Sequence, residues 1–115
     1  MILFDELIDL LKSKSSFLLL DVREPFEFEN YGFIPTAKNI PLNKIKNGFL
    51  LNDELFKQSF GFSKLDKNIK IILYCRSGGR SLLATKILKK LGFNAYNYSG
   101  SILEWSKHSA DVKAY

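Results

Sequence analysis

Apolar and polar positions alternate along this chain in two distinct periods. Leu3, Leu7, Leu10 and Leu11 recur at helical spacing with Asp5, Glu6 and Asp9 between them, which predicts an amphipathic helix over about residues 3 to 12. Its acids fall in the early turns and Lys12 at the end, the order that complements a helix dipole. Phe17-Leu18-Leu19-Leu20-Asp21-Val22 is instead a continuous apolar run, the pattern of a strand buried on both faces of a parallel sheet. Pro25 suits the first position of a short helix reaching about Asn30, because its missing N–H has no helical partner there, and Gly32 ends that helix.

Ile34-Pro35 and Ile40-Pro41 bracket a segment with room for only a brief strand, at about residues 38 to 40, since proline is poorly tolerated inside a sheet. Short helices are expected at about 42 to 47 and 53 to 59. Ile69-Lys70-Ile71-Ile72-Leu73-Tyr74 is β-branched and apolar and reads as a central strand. Leu82, Leu83, Ala84, Ile87, Leu88 and Leu91 then repeat at helical spacing, and Gly92 supplies the left-handed residue that closes such a helix. Ala95-Tyr96-Asn97-Tyr98 predicts a further strand, and Ser101 with Glu104 predicts a capping box opening a short helix that carries Trp105. Strands alternating with helices indicate an α/β fold, a parallel sheet with helices on both faces, formed by residues 1–115 as one domain.

Composition adds little except charge. An apolar fraction of 46% and a charged fraction of 25% are those of an ordinary globular protein. Seventeen Lys and Arg against twelve Asp and Glu leave +5, compatible with small anionic ligands or acidic partners. The lysines are scattered, as at Lys12, Lys14, Lys86, Lys89 and Lys90, with no basic block interleaved with aromatics, so nucleic acid is not an expected partner. Apolar runs fall far short of the ~20 residues that cross a bilayer, so no membrane partner is expected either. The start meets Asp5 and Glu6 with no basic stretch before them, which does not read as a signal peptide and leads to the expectation of a cytoplasmic protein.

Cys75 is the only cysteine, which excludes an internal disulfide and a multi-cysteine metal site and leaves no second thiol in these residues to resolve an oxidised Cys75. It opens the run Cys75-Arg76-Ser77-Gly78-Gly79-Arg80-Ser81 between the central strand and the long amphipathic helix. A loop that leaves a strand, turns on two glycines and starts a helix aims several backbone N–H groups at one point, where the helix dipole also favours negative charge. In an open α/β sheet, ligands bind at this end of the strands. A thiol beside cations at a helix N-terminus is lowered from its ordinary ~8.5. Arg76 and Arg80 are permanently charged, and Gly78 and Gly79 let backbone donors approach closely.

Cys75 is therefore a candidate nucleophile, held as a thiolate without help from a histidine. A lone cysteine also occurs as a small buried hydrophobe, but such a residue has no need of flanking arginines and paired glycines at a helix start. The sole histidine, His108, lies in a polar stretch and reads as a solvated surface residue. Asp21, Arg23 and Glu27 are expected to be structural, with Asp21 and Arg23 bonding nearby backbone where a strand gives way to a turn. Trp105, Phe26, Phe28, Tyr31 and Phe33 are expected to pack the sheet and the pocket rim.

Cys75-Arg76-Ser77-Gly78-Gly79-Arg80-Ser81 resembles the active-site loop Cys-Arg-x-Gly-x-Arg-Ser of single-domain rhodanese sulfurtransferases. Asp21-Val22-Arg23-Glu24-Pro25-Phe26-Glu27-Phe28 is similar to that family's Asp-Val-Arg-Glu-Pro-x-Glu-Phe. Ile34-Pro35-Thr36-Ala37-Lys38-Asn39-Ile40-Pro41 is similar to its Ile-Pro-Gly-Ala-x-Asn-Ile-Pro. Gly92-Phe93 and Ser99-Gly100-Ser101 followed by Trp105 match its closing pattern. The departures are Phe33 where the family often has His, Thr36 for Gly, and Ser101 for the second Gly of a pair.

The resemblance implies a three-layer domain around a mainly parallel sheet of about five strands, and a double-displacement sulfurtransferase that needs no cofactor and no metal. Cys75 would attack the outer sulfur of a small anionic donor such as thiosulfate and carry it as a persulfide to cyanide, a thiol or a protein acceptor. Arg76, Ser77, Gly78, Gly79, Arg80 and Ser81 would bind the donor and the persulfide, with Arg80 at the helix start the preferred donor ligand. Related phosphatases and arsenate reductases enclose five residues between cysteine and arginine. Cys75 and Arg80 enclose four, a ring sized for one sulfur atom. The alternative is a non-catalytic or relay module that docks on a partner protein or passes sulfur to it.

Overall fold

In the computed structural model, which describes residues 1–115, the chain runs α1 (Phe4–Lys12), β1 (Phe17–Asp21), α2 (Pro25–Tyr31), β2 (Lys38–Asn39), α3 (Leu42–Leu50), α4 (Asp53–Phe60), β3 (Lys70–Tyr74), α5 (Gly79–Lys90), β4 (Asn94–Asn97) and α6 (Ser101–Trp105). The strands lie in the order β2-β1-β3-β4, all parallel. Asp21 sits opposite Tyr74 across the central pair, so the segments that follow β1 and β3 leave the same end of the sheet side by side. That register brings the Asp21 to Phe28 stretch next to the Cys75 loop.

Both faces of the sheet are covered. Leu18, Leu20, Ile71, Leu73 and Ala95 point into one core with α3, α4 and α5, while Leu19, Ile72, Tyr74 and Tyr98 point into the other with α1 and α6. The strands therefore read as continuous apolar runs even though successive side chains alternate between faces. No helix is long and apolar enough to cross a membrane.

Two expectations are corrected. The sheet has four strands rather than about five. Ile2 donates its N–H to the Asn97 carbonyl at 2.8 Å and forms one parallel bridge to Tyr98, but α1 begins two residues later and leaves no length for a fifth strand. The capping box on α6 does not form. Ser101 is the first helical residue, at φ 52, and its hydroxyl donates to the Tyr98 carbonyl at 2.9 Å and accepts the Cys75 N–H at 3.1 Å. Glu104 accepts from the Tyr98 phenol at 2.6 Å instead of from backbone. A tertiary partner has outcompeted the local motif.

Thr36 and Ser101 both adopt positive φ, at 72 and 52, and both stand where the resembling motifs carry glycine. Each departure keeps the glycine-like backbone at a cost of about 1 kcal/mol.

Candidate active site

Cys75 lies one residue beyond β3 and is 1% exposed. Its Sγ accepts the Gly78 N–H at 3.1 Å and the Ser81 hydroxyl at 3.5 Å. Burial alone pushes the thiol up, but the Ser81 hydroxyl and the N–H groups of Ser81, Gly78 and Ser77 outweigh it and hold Cys75 below the ordinary thiol range. Donors of the loop, rather than the arginine charges, lead in stabilising the thiolate.

The loop sits in a seat built by residues 97–103. Ser101 takes the Cys75 N–H, the Ile102 N–H donates to the Cys75 carbonyl at 3.1 Å, and the Leu103 N–H donates to the Arg76 carbonyl at 3.0 Å. Asn97 donates its side-chain amide to the Gly78 carbonyl at 3.3 Å. Gly78 is left-handed at φ 98, and a Cβ there would come within 2.5 Å of the Ser99 carbonyl oxygen, whereas a Cβ on Gly79 would meet nothing within 4 Å. Gly78→Ala is expected to lower stability by about 2 kcal/mol and raise the apparent pKa of Cys75 alkylation. Gly79→Ala is expected to leave the alkylation profile unchanged and to be neutral or stabilising by about 0.5–1 kcal/mol, as alanine replaces glycine within a helix. Urea denaturation and the pH dependence of iodoacetamide labelling would check both.

The two arginines of the loop have different surroundings. Arg80 grips Glu27 with both terminal nitrogens, at 2.6 and 3.0 Å. That bidentate contact, opposed by burial and helped by the Tyr115 hydroxyl, lowers the Glu27 carboxyl to about 2. Stability from the pair is complete above the ordinary carboxyl value of 4.5 and is lost as pH falls towards 2. Glu27 in turn, with a smaller contribution from Cys75, holds Arg80 firmly charged. Arg76 donates its Nε to the Tyr115 main-chain oxygen and lies 5.2 Å from the centre of the Tyr115 ring, while its two terminal nitrogens have no protein partner.

Behind Glu27 lies a buried ion pair. Asp21 and Arg23 are both 0% exposed. The Arg23 backbone N–H donates to Asp21 at 2.9 Å, its Nε and one terminal nitrogen donate to the same carboxylate, and it reaches the Gly32 carbonyl at 2.7 Å. The expected bonding to nearby backbone is present. The guanidinium also lies about 6 Å from the Tyr74 and Tyr115 ring centres.

Ser77, Gly78 and Ser81 thus converge on the Cys75 sulfur, with Arg76 and Arg80 in the same loop. Gly79 starts the helix without touching Sγ. His108 does not join the loop; it is exposed and stacks on Phe4 at 4.0 Å between ring centroids. The sequence reading missed Glu27, Asn97, Ser101 and Tyr115 as parts of the site. Glu27 stands inside a quoted motif and Ser101 at a noted departure, so both carried a signal. Asn97 and Tyr115 carried none.

Fold and loop together define an α/β domain that holds a cysteine sulfur within a ring of hydroxyl and backbone donors at the end of a central parallel strand. The chain belongs to the rhodanese-like domain family, whose match covers residues 3–108. It is 50% identical over 92 residues to a mitochondrial protein of Schizosaccharomyces pombe named for thiosulfate sulfurtransferase activity, a match covering 79% of this chain and 64% of that one. It is 39% identical over 98 residues to the mitochondrial thiosulfate sulfurtransferase RDL2 of Saccharomyces cerevisiae, covering 84% of this chain and 65% of that one. The chain therefore spans less than two thirds of the length of either relative. In structure it is similar to the human single-domain sulfurtransferase TSTD1, with a TM-score of 0.90 at 29% identity over 96% of this chain and 97% of that one.

Proposed function

We propose that this protein is a cofactor-independent sulfurtransferase in which Cys75 carries a sulfane sulfur as a persulfide. The observation that carries the reading is the Cys75 thiol itself, buried yet lowered, with Gly78 and Ser81 donating to its sulfur at 3.1 and 3.5 Å.

In the first step the Cys75 thiolate attacks the outer sulfur of thiosulfate. A new S–S bond forms, the donor's S–S bond breaks, and sulfite leaves with the electron pair. In the second step cyanide or a thiolate attacks the terminal sulfur, the persulfide bond breaks, and Cys75 regains its thiolate. Thiocyanate or an acceptor persulfide is released, and no external oxidant or reductant is needed. A covalent carrier divides one transfer into two displacements, and the loop N–H groups provide fixed donors for the negative charge on the terminal sulfur.

Arg76 is the stronger candidate for holding the donor's sulfonate oxygens, because its terminal nitrogens are free while Glu27 occupies both of those on Arg80. Arg80 acts through the fixed charge it sets beside the loop.

The test is to incubate the folded protein with thiosulfate, look by intact mass for the gain of one sulfur atom, locate it on Cys75, and then add cyanide and measure thiocyanate. Absence of the added sulfur on folded protein would falsify the proposal. A relay to a protein acceptor is the second reading, favoured by exposed Leu82 and Leu83, 45% and 51% accessible in the first turns of α5 beside Ser81. A persulfide that resists cyanide and small thiols but leaves to a protein thiol would select it.

A further inference from the structure

The geometry points to Tyr115 as a positioning residue that sets both active-site arginines, orienting Arg76 directly and Arg80 through Glu27. The part concerning the sulfur donor rests on the sulfurtransferase reading above.

The tail is laid against α2 by backbone as well as side chain. Val112 pairs antiparallel with Gly32, the Lys113 N–H donates to the Tyr31 carbonyl at 2.8 Å, and the Tyr115 ring stacks on Tyr31 at 4.0 Å with 9° between planes. Gly32 is what permits the crossing, since a Cβ there would lie 2.1 Å from the Asp111 carbonyl oxygen. Tyr115 is thereby delivered to the mouth of the Cys75 loop with its ring orientation fixed.

From that position it makes contacts of two kinds. Its hydroxyl donates to Glu27 Oε2 and accepts from Arg23 at 3.3 Å, bracing the carboxylate that Arg80 grips. Its main-chain oxygen accepts from Arg76 Nε and its ring underlies the Arg76 guanidinium. The second contact matters more for binding. A free arginine side chain loses much rotamer freedom when it closes on an anion. One already held at Nε and across its face, with both terminal nitrogens unpaired, is preorganised for an oxyanion.

The experiment compares wild type, Tyr115→Ala and Tyr115→Phe in the chain of residues 1–115. With thiosulfate and cyanide, Tyr115→Ala is expected to raise KM for thiosulfate about tenfold while kcat changes by less than about threefold, and Tyr115→Phe, which keeps the ring beneath Arg76, is expected to recover most of the KM. Independently of sulfur transfer, anionic iodoacetate and neutral iodoacetamide are used to alkylate Cys75. Tyr115→Ala is expected to lower the iodoacetate-to-iodoacetamide rate ratio about fivefold, because only the anion uses Arg76. A purely structural role would lower Tm and leave that ratio alone.

A folded Tyr115→Ala variant whose KM and alkylation ratio both stay within about twofold of wild type overturns the inference. If wild type takes no sulfur from thiosulfate, the proposed function fails, and the alkylation ratio still decides the role of Tyr115. Should Tyr115→Ala not fold, Tyr115→Leu, which keeps bulk against Tyr31, takes its place in the same measurements.

Discussion

Cys75→Ser is expected to abolish sulfur loading from thiosulfate and to lower thiocyanate formation by about three orders of magnitude or more, to the level of the reaction without protein. An alcohol is far less acidic than a thiol, so the donors that stabilise a thiolate at Cys75 would leave a serine at that position protonated. An oxygen at that place also cannot form the S–S bond on which both displacements depend. The substitution is otherwise mild. The Gly78 N–H and Ser81 hydroxyl that point at the sulfur would point at the new hydroxyl, so its polarity is matched. Intact mass after thiosulfate treatment reads the loss of loading, thiocyanate release reads turnover, and a urea transition close to that of wild type shows that the fold is intact. Retained turnover would mean that the sulfur is carried somewhere other than Cys75.

The largest expected effect on stability is at Arg23. Removing its guanidinium by Arg23→Ala strands the Asp21 carboxylate at 0% exposure, where only the backbone N–H donor at 2.9 Å is left from the pair. Such a change costs about 3–5 kcal/mol. Against the roughly 5–15 kcal/mol that holds a typical domain together, the loss takes a fifth or more of the total. Asp21→Asn should be gentler, because a neutral amide oxygen still accepts from Arg23, and the guanidinium that loses its counter-charge keeps the Gly32 carbonyl and the Tyr115 hydroxyl as acceptors. Removing both charges, as Asp21→Leu with Arg23→Met, should recover much of the single-variant loss. Urea denaturation of the three variants checks this order. If Arg23→Ala proved as stable as wild type, water or another cation must reach Asp21.

What could be read from the chain without coordinates follows the distance over which each feature is assembled. β1, β3, α1 and α5 were legible because burial leaves a periodic trace within ten or so neighbouring positions. The Cys75 loop was legible because its donors lie within Ser77 to Ser81, so its chemistry is written contiguously. Helix α3 runs on to Leu50 rather than stopping near residue 47. Gly48 looks like a stop signal, but here it lets the Phe60 ring pack so closely that a Cβ would lie 2.8 Å from it.

The arginine partners could not be read. Glu27 and Arg80 are 53 positions apart, and Arg76 and Tyr115 are 39 apart, joined only by the parallel register and by the tail. Ser101 misled for the opposite reason. Its spacing from Glu104 satisfies a local rule, while the Cys75 N–H that takes its hydroxyl is 26 positions away.

The missing side chain at Gly32 gives position 32 leverage over the mouth of the Cys75 loop. With φ at 79 and the Asp111 oxygen already occupying the space of a side chain, even one methyl group there would lift residues 111 and 112 off the end of α2. It would carry Tyr115 away with them, without altering a residue of the Cys75 loop. Whether the last four residues belong to the working mouth or hang free is thus decided by a hydrogen atom, in a place no assay of the loop itself would think to probe.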